Sequence, residues 1–308
     1  MMADIILLGR SGQVATAVAA LAATTGRNIR QLARPAFDLS NPDSIAPALE
    51  PVLAAAAPGS VLVNATAYTD VNRAEAEPDL AHTLNALAPG ILAENCRQAG
   101  MPLIHLSTDY VYDGTKGAPY VETDACNPLS VYGRTKLAGD EAVMRSGARH
   151  VILRTSAVYS ATGKNFVRTM LELGRRQDHV RVVADQSTNP TAAANIATAI
   201  LEIADRLAMG TPDGGVFHFC GDTSVSWADF ATEIFGIAEG LGERAVQVGR
   251  IAAKEFASPA ARPAFSVLDC GAIADRFGIS QPDHGEALAR AITLILAGGT
   301  TGDATKAC

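Results

Sequence analysis

Three polar side chains in this sequence could converge on one carbonyl oxygen. Thr108 follows an apolar run from Pro102 to Leu106, and Tyr132 and Lys136 lie downstream in Tyr132-Gly133-Arg134-Thr135-Lys136. On a helix, residues four apart share a face, so the phenol and the ammonium would stand side by side. A tyrosine phenol titrates at about 10 in water, and a neighbouring cation would lower that by favouring the phenolate. Thr108 would hydrogen-bond the substrate oxygen and orient it. The implied chemistry is hydride transfer between a nicotinamide and a carbonyl carbon, with Tyr132 giving the proton to the oxygen in the reducing direction. A Tyr-x-x-x-Lys pair by itself is more often a solvated helix face. Its weight here comes from Thr108 at a strand end and from a glycine turn at the start of the chain.

That turn belongs to the elements that would have to position the trio. Asp4 to Leu8 reads as a short apolar strand, and Gly9-Arg10-Ser11-Gly12-Gln13-Val14-Ala15 opens an Ala-rich helix. Gly9 permits a tight turn, and Gly12 lets the backbone approach a pyrophosphate at the helix N-terminus. Ala15 packs almost as closely as glycine, although Gly-x-x-Gly-x-x-Ala differs from the usual dinucleotide spacing. Ser11 lies in the same turn and joins the expected cofactor contacts. The second strand, Asn28 to Leu32, runs into Ala33-Arg34 rather than an acid. Arg34 is either the partner of a ribose 2′-phosphate, which favours NADPH over NADH, or a solvated surface cation. Asp38, before Leu39, could accept from an adenine amine. Ser60 to Asn64 reads as a buried parallel strand ending in Ala65-Thr66-Ala67-Tyr68, and small residues at such an end leave room for a ligand.

The rest of the chain alternates helices and strands. Ser44 to Ala57 reads as a helix interrupted at Pro47 and Pro51, residues 75 to 100 as one or two helices, and Pro128 to Ser146 as the helix of Tyr132 and Lys136. The expected fold is α/β, a Rossmann-like doubly wound parallel sheet with a smaller C-terminal α/β lobe for the substrate. Residues 1–158 with 189–222 would bind the dinucleotide and 159–188 with 223–297 the substrate; 298–308, rich in Gly and Thr, reads as a disordered tail. His105 and His218 read as packed strand residues, and no histidine shows metal-ligand spacing.

Composition narrows the partners. The chain has 308 residues, 48% of them hydrophobic, and a net charge of −7. No Lys/Arg-rich run favours nucleic acid, and no apolar run approaches the roughly 18 residues that span a membrane. The N-terminus does not read as a signal peptide. Five scattered cysteines suggest free thiols in a reducing cytoplasm.

These motifs resemble the extended short-chain dehydrogenase/reductase superfamily. Within it, Ser107 to Gly114, Tyr132 to Glu141, Leu153-Arg154-Thr155-Ser156, Asp185-Gln186 with Pro190-Thr191, and Arg262-Pro263 with Ser266 are similar to the dTDP-4-dehydrorhamnose reductase family. The resemblance covers the chain to about Leu296. It implies NADPH-dependent reduction of the 4-keto group of a dTDP-4-keto-6-deoxy sugar, with Thr108, Tyr132 and Lys136 catalytic. It also implies cofactor contacts at Gly9, Gln13, Val14, Asp38, Leu39, Ala65, Ala67 and Tyr68. Asp109 and Tyr110 would lie near the sugar, and Ala157 and Arg262 join the expected substrate set.

Three positions depart from the family pattern. Ala157 stands where members typically carry Trp, Phe265 stands where they carry Asn, and Thr16 and Ala17 replace a Glu that helps hold Mg²⁺ between subunits. The first two leave open another nucleotide sugar, acted on by a reductase or epimerase. The third argues against a metal-bridged dimer, with a homodimer itself left open. A non-catalytic NADP-binding regulatory subunit is a further reading, against which the intact trio argues.

Overall fold

The computed structural model describes residues 2–210 and 214–299. Six parallel strands form the central sheet: β1 (Ile5–Leu8), β2 (Ile29–Leu32), β3 (Val61–Asn64), β4 (Leu103–Thr108), β5 (His150–Thr155) and β6 (Val216–His218). Their spatial order is β6-β5-β4-β3-β1-β2. All four residues of β1 and of β3 are buried, as strands covered on both faces require.

Helices cover both faces. On one side α1 (Gln13–Thr24) and α5 (Ala193–Ala208) share an apolar cluster with β1, β3 and β5. On the other, α2 (Pro42–Ala54), α3 (Ala88–Ala99) and α4 (Val131–Arg145) bury residues such as Leu49, Leu92 and Val143 with Leu8, Leu62 and Ile152. The expected doubly wound sheet is therefore the observed one. After β2 the chain crosses back to place β3 on the opposite side of β1. That reversal opens a crevice above the C-terminal ends of β1 and β3, where α/β sheets take ligands.

A third apolar cluster lies away from the sheet. The helices Phe166–Gly174, Trp227–Gly240 and His284–Gly299 pack there around Tyr159, Phe230 and Ile234, beside a parallel strand pair, His179–Val183 with Gln247–Ile251. Leu268, Ile273 and Phe277 instead pack with the first cluster.

Several boundaries differ from the sequence reading. Helix α2 runs unbroken through Pro47 and Pro51. Each proline removes one backbone donor, but Ile45, Leu49, Val52 and Leu53 are buried along the helix and hold it. Strand β4 extends through Thr108, two residues beyond Leu106, because Ser107 and Thr108 still pair with Arg154 and Thr155. A helix at Gly271–Phe277 went unread, its seven residues being too few for a clear period. The helix His284–Gly299 takes in Gly298 and Gly299; the rest of the expected disordered tail lies outside the described residues.

Candidate active site

A cavity of about 470 Å³ occupies the crevice, within the usual range for small-molecule sites. Ser11, Gly12, Gln13 and Val14 line one end; Ala65, Thr66 and Ala67 border them from the end of β3. Thr108, Asp109, Tyr110, Tyr132, Lys136 and Ala157 line it further along.

The end at α1 suits a pyrophosphate. Gly9 adopts φ +112°, a conformation reserved for glycine, with Ala15 and Thr66 crowded against it. A β-carbon on Gly12 would meet only the Ala65 carbonyl oxygen, at 3.8 Å, so its face is open. No side chain caps α1, and its first turn holds no acid. The free N–H groups and positive dipole end therefore face the cavity without a competing anion.

Helix α4 delivers Tyr132 and Lys136. Ser130 accepts from the Gly133 N–H at 3.1 Å and caps the helix. A β-carbon on Gly133 would collide with the Tyr110 carbonyl oxygen, and one on Gly139 with the Asn85 carbonyl. Two glycines thus let α4 press against the turn after β4 and against a π-helical turn, Thr83–Leu87. From that turn the buried Asn85 accepts from the Tyr68 N–H at 2.8 Å and donates to the Tyr68 carbonyl and to Thr135 Oγ1, each at 3.1 Å.

The reacting groups are embedded. Thr108 Oγ1 donates to Asp109 Oδ1 at 3.1 Å and accepts from the Tyr110 N–H at 3.2 Å. Tyr110 and Tyr132 meet edge to face, 5.9 Å between centroids. Burial pushes the Tyr132 phenol up to about 12; the Thr108 hydroxyl pulls the other way, and the Asp109 and Asp140 charges add to the rise. The expectation of a lowered phenol therefore fails in the protein alone. Lys136 is 2% exposed, its Nζ donates to the Leu106 carbonyl at 2.6 Å, and burial brings it down to about 8 against the pull of Asp140. Asp109 rises to about 7 through burial, offset in part by hydrogen bonds, and its Oδ2 has no partner.

Other expected contacts lie outside the cavity lining. Gly9 forms the turn beneath it. Arg34 is exposed beyond β2, close enough for its charge to help lower the Asp38 carboxyl. Asp38 already accepts from the Ser40 N–H at 2.9 Å and hydroxyl at 2.8 Å. Leu39 is buried against α2, Tyr68 OH donates to Glu77 at 2.7 Å, and Arg262 donates to Asn72 at 3.1 Å. Gln13, which does line the cavity, accepts from Ser160 Oγ at 2.9 Å and Asn165 Nδ2 at 3.0 Å.

Sequence reading missed Lys164 and Trp227, both in the lining. Trp227, the only tryptophan of the chain, packs on Phe166, 4.8 Å between centroids. Its position at the start of a helix gave no signal of a role. Ala157 has φ +42°, the one non-glycine residue with positive φ among the described residues. Neighbouring bonds hold it there: Ser156 Oγ donates to the Asn189 carbonyl at 2.7 Å, and Thr191 N–H to the Ala157 carbonyl at 3.3 Å.

Among the described residues, no group of three or more His, Cys, Asp or Glu could hold a metal ion, and no helix is long and apolar enough to cross a membrane. Comparison with known proteins agrees with the geometry. The family model for the RmlD substrate binding domain matches residues 2–296. A dTDP-4-dehydrorhamnose reductase of Sinorhizobium fredii is 41% identical, over 94% of this chain and 97% of that protein. One from Escherichia coli K12 is 34% identical, over 91% and 94%. The crystal structure of the Bacillus anthracis dTDP-4-dehydrorhamnose reductase in complex with NADP superposes with a TM-score of 0.85 at 29% identity, covering 95% of this chain and 99% of that one. An orthologue from Clostridium acetobutylicum gives the same score at 32% identity and the same coverage. With the open α1 terminus, the Thr-Tyr-Lys trio on one cavity and these likenesses together, the chain belongs to the dTDP-4-dehydrorhamnose reductase family.

Proposed function

We propose that this protein reduces the 4-keto group of a dTDP-4-keto-6-deoxy sugar, giving dTDP-L-rhamnose from dTDP-4-dehydro-L-rhamnose, with NADPH as reductant. The observation that carries the reading is that Thr108, Tyr132 and Lys136 line one cavity with the uncapped end of α1. When bound, the nicotinamide supplies the hydride. Tyr132 provides the proton: a phenol held near 12 is fully protonated at neutral pH, the state a donor needs. Thr108 orients the sugar oxygen, and its present donation to Asp109 is exchanged for donation to substrate. Lys136 supplies positive charge beside the phenolate that donation leaves.

Ser11, Gly12, Gln13 and Val14 would hold the pyrophosphate end, and Arg34 a 2′-phosphate. Asp109, Tyr110, Ala157 and Arg262 would meet the nucleotide sugar. Residues 159–188 with 223–297 would form the substrate lobe, supported by the separate cluster around Phe230. The reading places the enzyme in the cytoplasm, where its four described cysteines stay free thiols, and allows for a homodimer.

The test is an assay of purified protein with dTDP-4-keto-6-deoxy-L-lyxo-hexose, following NADPH consumption. Steady oxidation of NADPH dependent on the sugar is expected; none would sink the reading. Arg34→Ala should reduce the preference for NADPH over NADH, and an unchanged preference removes Arg34 from the site.

A further inference from the structure

We infer that His105 is a positioning residue for Lys136: Asn64 fixes the imidazole in the tautomer whose Nε2–H points at Nζ, and that N–H favours the amine form of Lys136. The inference deepens the proposed reduction centre and rests on it for its catalytic meaning.

Hydrogen-bond donors fix each orientation in turn. Thr66 donates to one terminal atom of Asn64 twice, from its backbone N–H at 3.1 Å and its hydroxyl at 2.5 Å. A backbone N–H can only donate, so that atom is the amide oxygen. The other atom is then the NH₂ group, and it lies 3.1 Å from His105 Nδ1. Nδ1 must accept, which leaves the proton of a neutral ring on Nε2. Burial, with the Lys136 and His150 charges adding to it, holds His105 well below its ordinary range, so the neutral ring is the resting form.

Nε2 stands 3.3 Å from Lys136 Nζ and 3.9 Å from Asp140 Oδ1. An ammonium has three donors and no acceptor, so it gains nothing from an opposing N–H; an amine offers a lone pair. His105 thus favours the amine. Asp140, from the same helix, favours the ammonium. Its Oδ2 accepts from Arg154 on β5 at 3.1 Å, which mutes the carboxylate, while Oδ1 has no partner. His105, Asn64, Lys136, Asp140 and Arg154 are all buried, so water does not level these preferences.

The balance has a use in turnover. Once Tyr132 has given its proton to the sugar oxygen, the phenolate takes one proton from the Lys136 ammonium. Lys136 becomes an amine, stabilised by His105 Nε2–H, and solvent later returns one proton to it. That returned proton is the one the carbonyl reduction consumes. Without His105 in this tautomer, Lys136 would hold its proton more tightly and release it less readily.

Two readouts need no substrate. Long-range ¹⁵N–¹H correlation of ¹⁵N-histidine protein, with the His105 signals identified by their loss in His105→Gln, should find Nδ1 unprotonated and Nε2 protonated. The opposite pattern, or an imidazolium, overturns the inference. The wild-type spectrum holds six histidines to sort, so partial assignment serves should the variant not fold. The second variant is Asn64→Asp. It still accepts from Thr66 but puts a carboxylate oxygen on Nδ1, drawing the ring proton there and leaving Nε2 to accept. The Lys136 titration, followed by its ¹³Cε shift, should then move up by about one pH unit, a tenfold gain in proton affinity. No movement overturns the inference. In the assay, the alkaline limb of kcat should move with that titration and KM should stay. A uniform fall in kcat with an unmoved limb marks a merely structural role and also overturns it. A protein that reduces no sugar refutes the proposed function while leaving the two spectroscopic results to decide the His105 assignment.

Discussion

A β-carbon on Gly133 would run into the carbonyl oxygen of Tyr110. That one approach sets how far Tyr132 reaches into the cavity, because Tyr132 precedes Gly133 on α4 and packs edge-on against Tyr110. Gly133→Ala should push the start of α4 outward, since neither backbone can give way as a side chain would. We expect a loss of ~1–3 kcal/mol in urea unfolding and a fall in kcat of about a hundredfold, as a displacement near 1 Å costs at a reaction centre. A variant with wild-type kcat would show that the approach does not position Tyr132.

Tyr132→Phe isolates the proton. The ring and its contact with Tyr110 remain, and only the hydroxyl is lost. kcat should fall by about 10²–10⁴, the usual worth of a positioned proton donor, while NADPH binding measured by fluorescence titration stays within a factor of two or so. Normal turnover would remove Tyr132 as the donor.

Much of this site was legible before the fold was known, and the division is physical. The Gly9 turn, the Thr108 strand end and the Tyr132/Lys136 face each depend on local backbone geometry, which spacing in sequence encodes. The electrostatic state of the trio was not legible. Tyr132 is held up rather than lowered because burial and two carboxylates, Asp109 and Asp140, outweigh the Thr108 hydroxyl. Such a balance exists only once β4, β5 and α4 have met. His105 likewise reads as a core residue in sequence, and it is fully buried; its contact with Lys136 appears only across the β4–α4 packing. Trp227 and Lys164 lie outside the motifs, and no local pattern ties them to the cavity.

Trp227 offers its own test. As the single tryptophan, it alone provides the indole emission of the protein, and it lines the cavity. Adding the nucleotide sugar should change that emission. Trp227→Ala should raise KM for the sugar about tenfold, equivalent to ~1.4 kcal/mol of lost contact, with kcat little altered. An emission unmoved at saturating sugar would place the substrate elsewhere in the cavity.

Arg154 and Asp140 form the buried ion pair behind the trio, 3.1 Å from Arg154 Nε to Asp140 Oδ2, and Arg154 also donates to the Tyr112 hydroxyl at 2.8 Å. Arg154→Leu leaves the Asp140 carboxyl buried without its cation. Such a loss costs about 3–5 kcal/mol. Its pH dependence follows from the direction of the shift. Burial already raises Asp140, with Arg154 opposing that rise. Removing Arg154 lifts the folded-state value further above the unfolded one. A raised carboxyl contributes stability below its unfolded value and loses it as pH rises through the folded value. Urea unfolding of Arg154→Leu against wild type should therefore show a deficit that is smallest at acid pH and grows as pH rises above the ordinary carboxylate range. The double variant Arg154→Leu/Asp140→Asn should recover more of the loss at alkaline than at acid pH, because it removes the ionisation that the single variant cannot support. A deficit independent of pH would mean that Arg154 acts through packing on Tyr112, 5.4 Å from its ring centroid, rather than through the charge of Asp140.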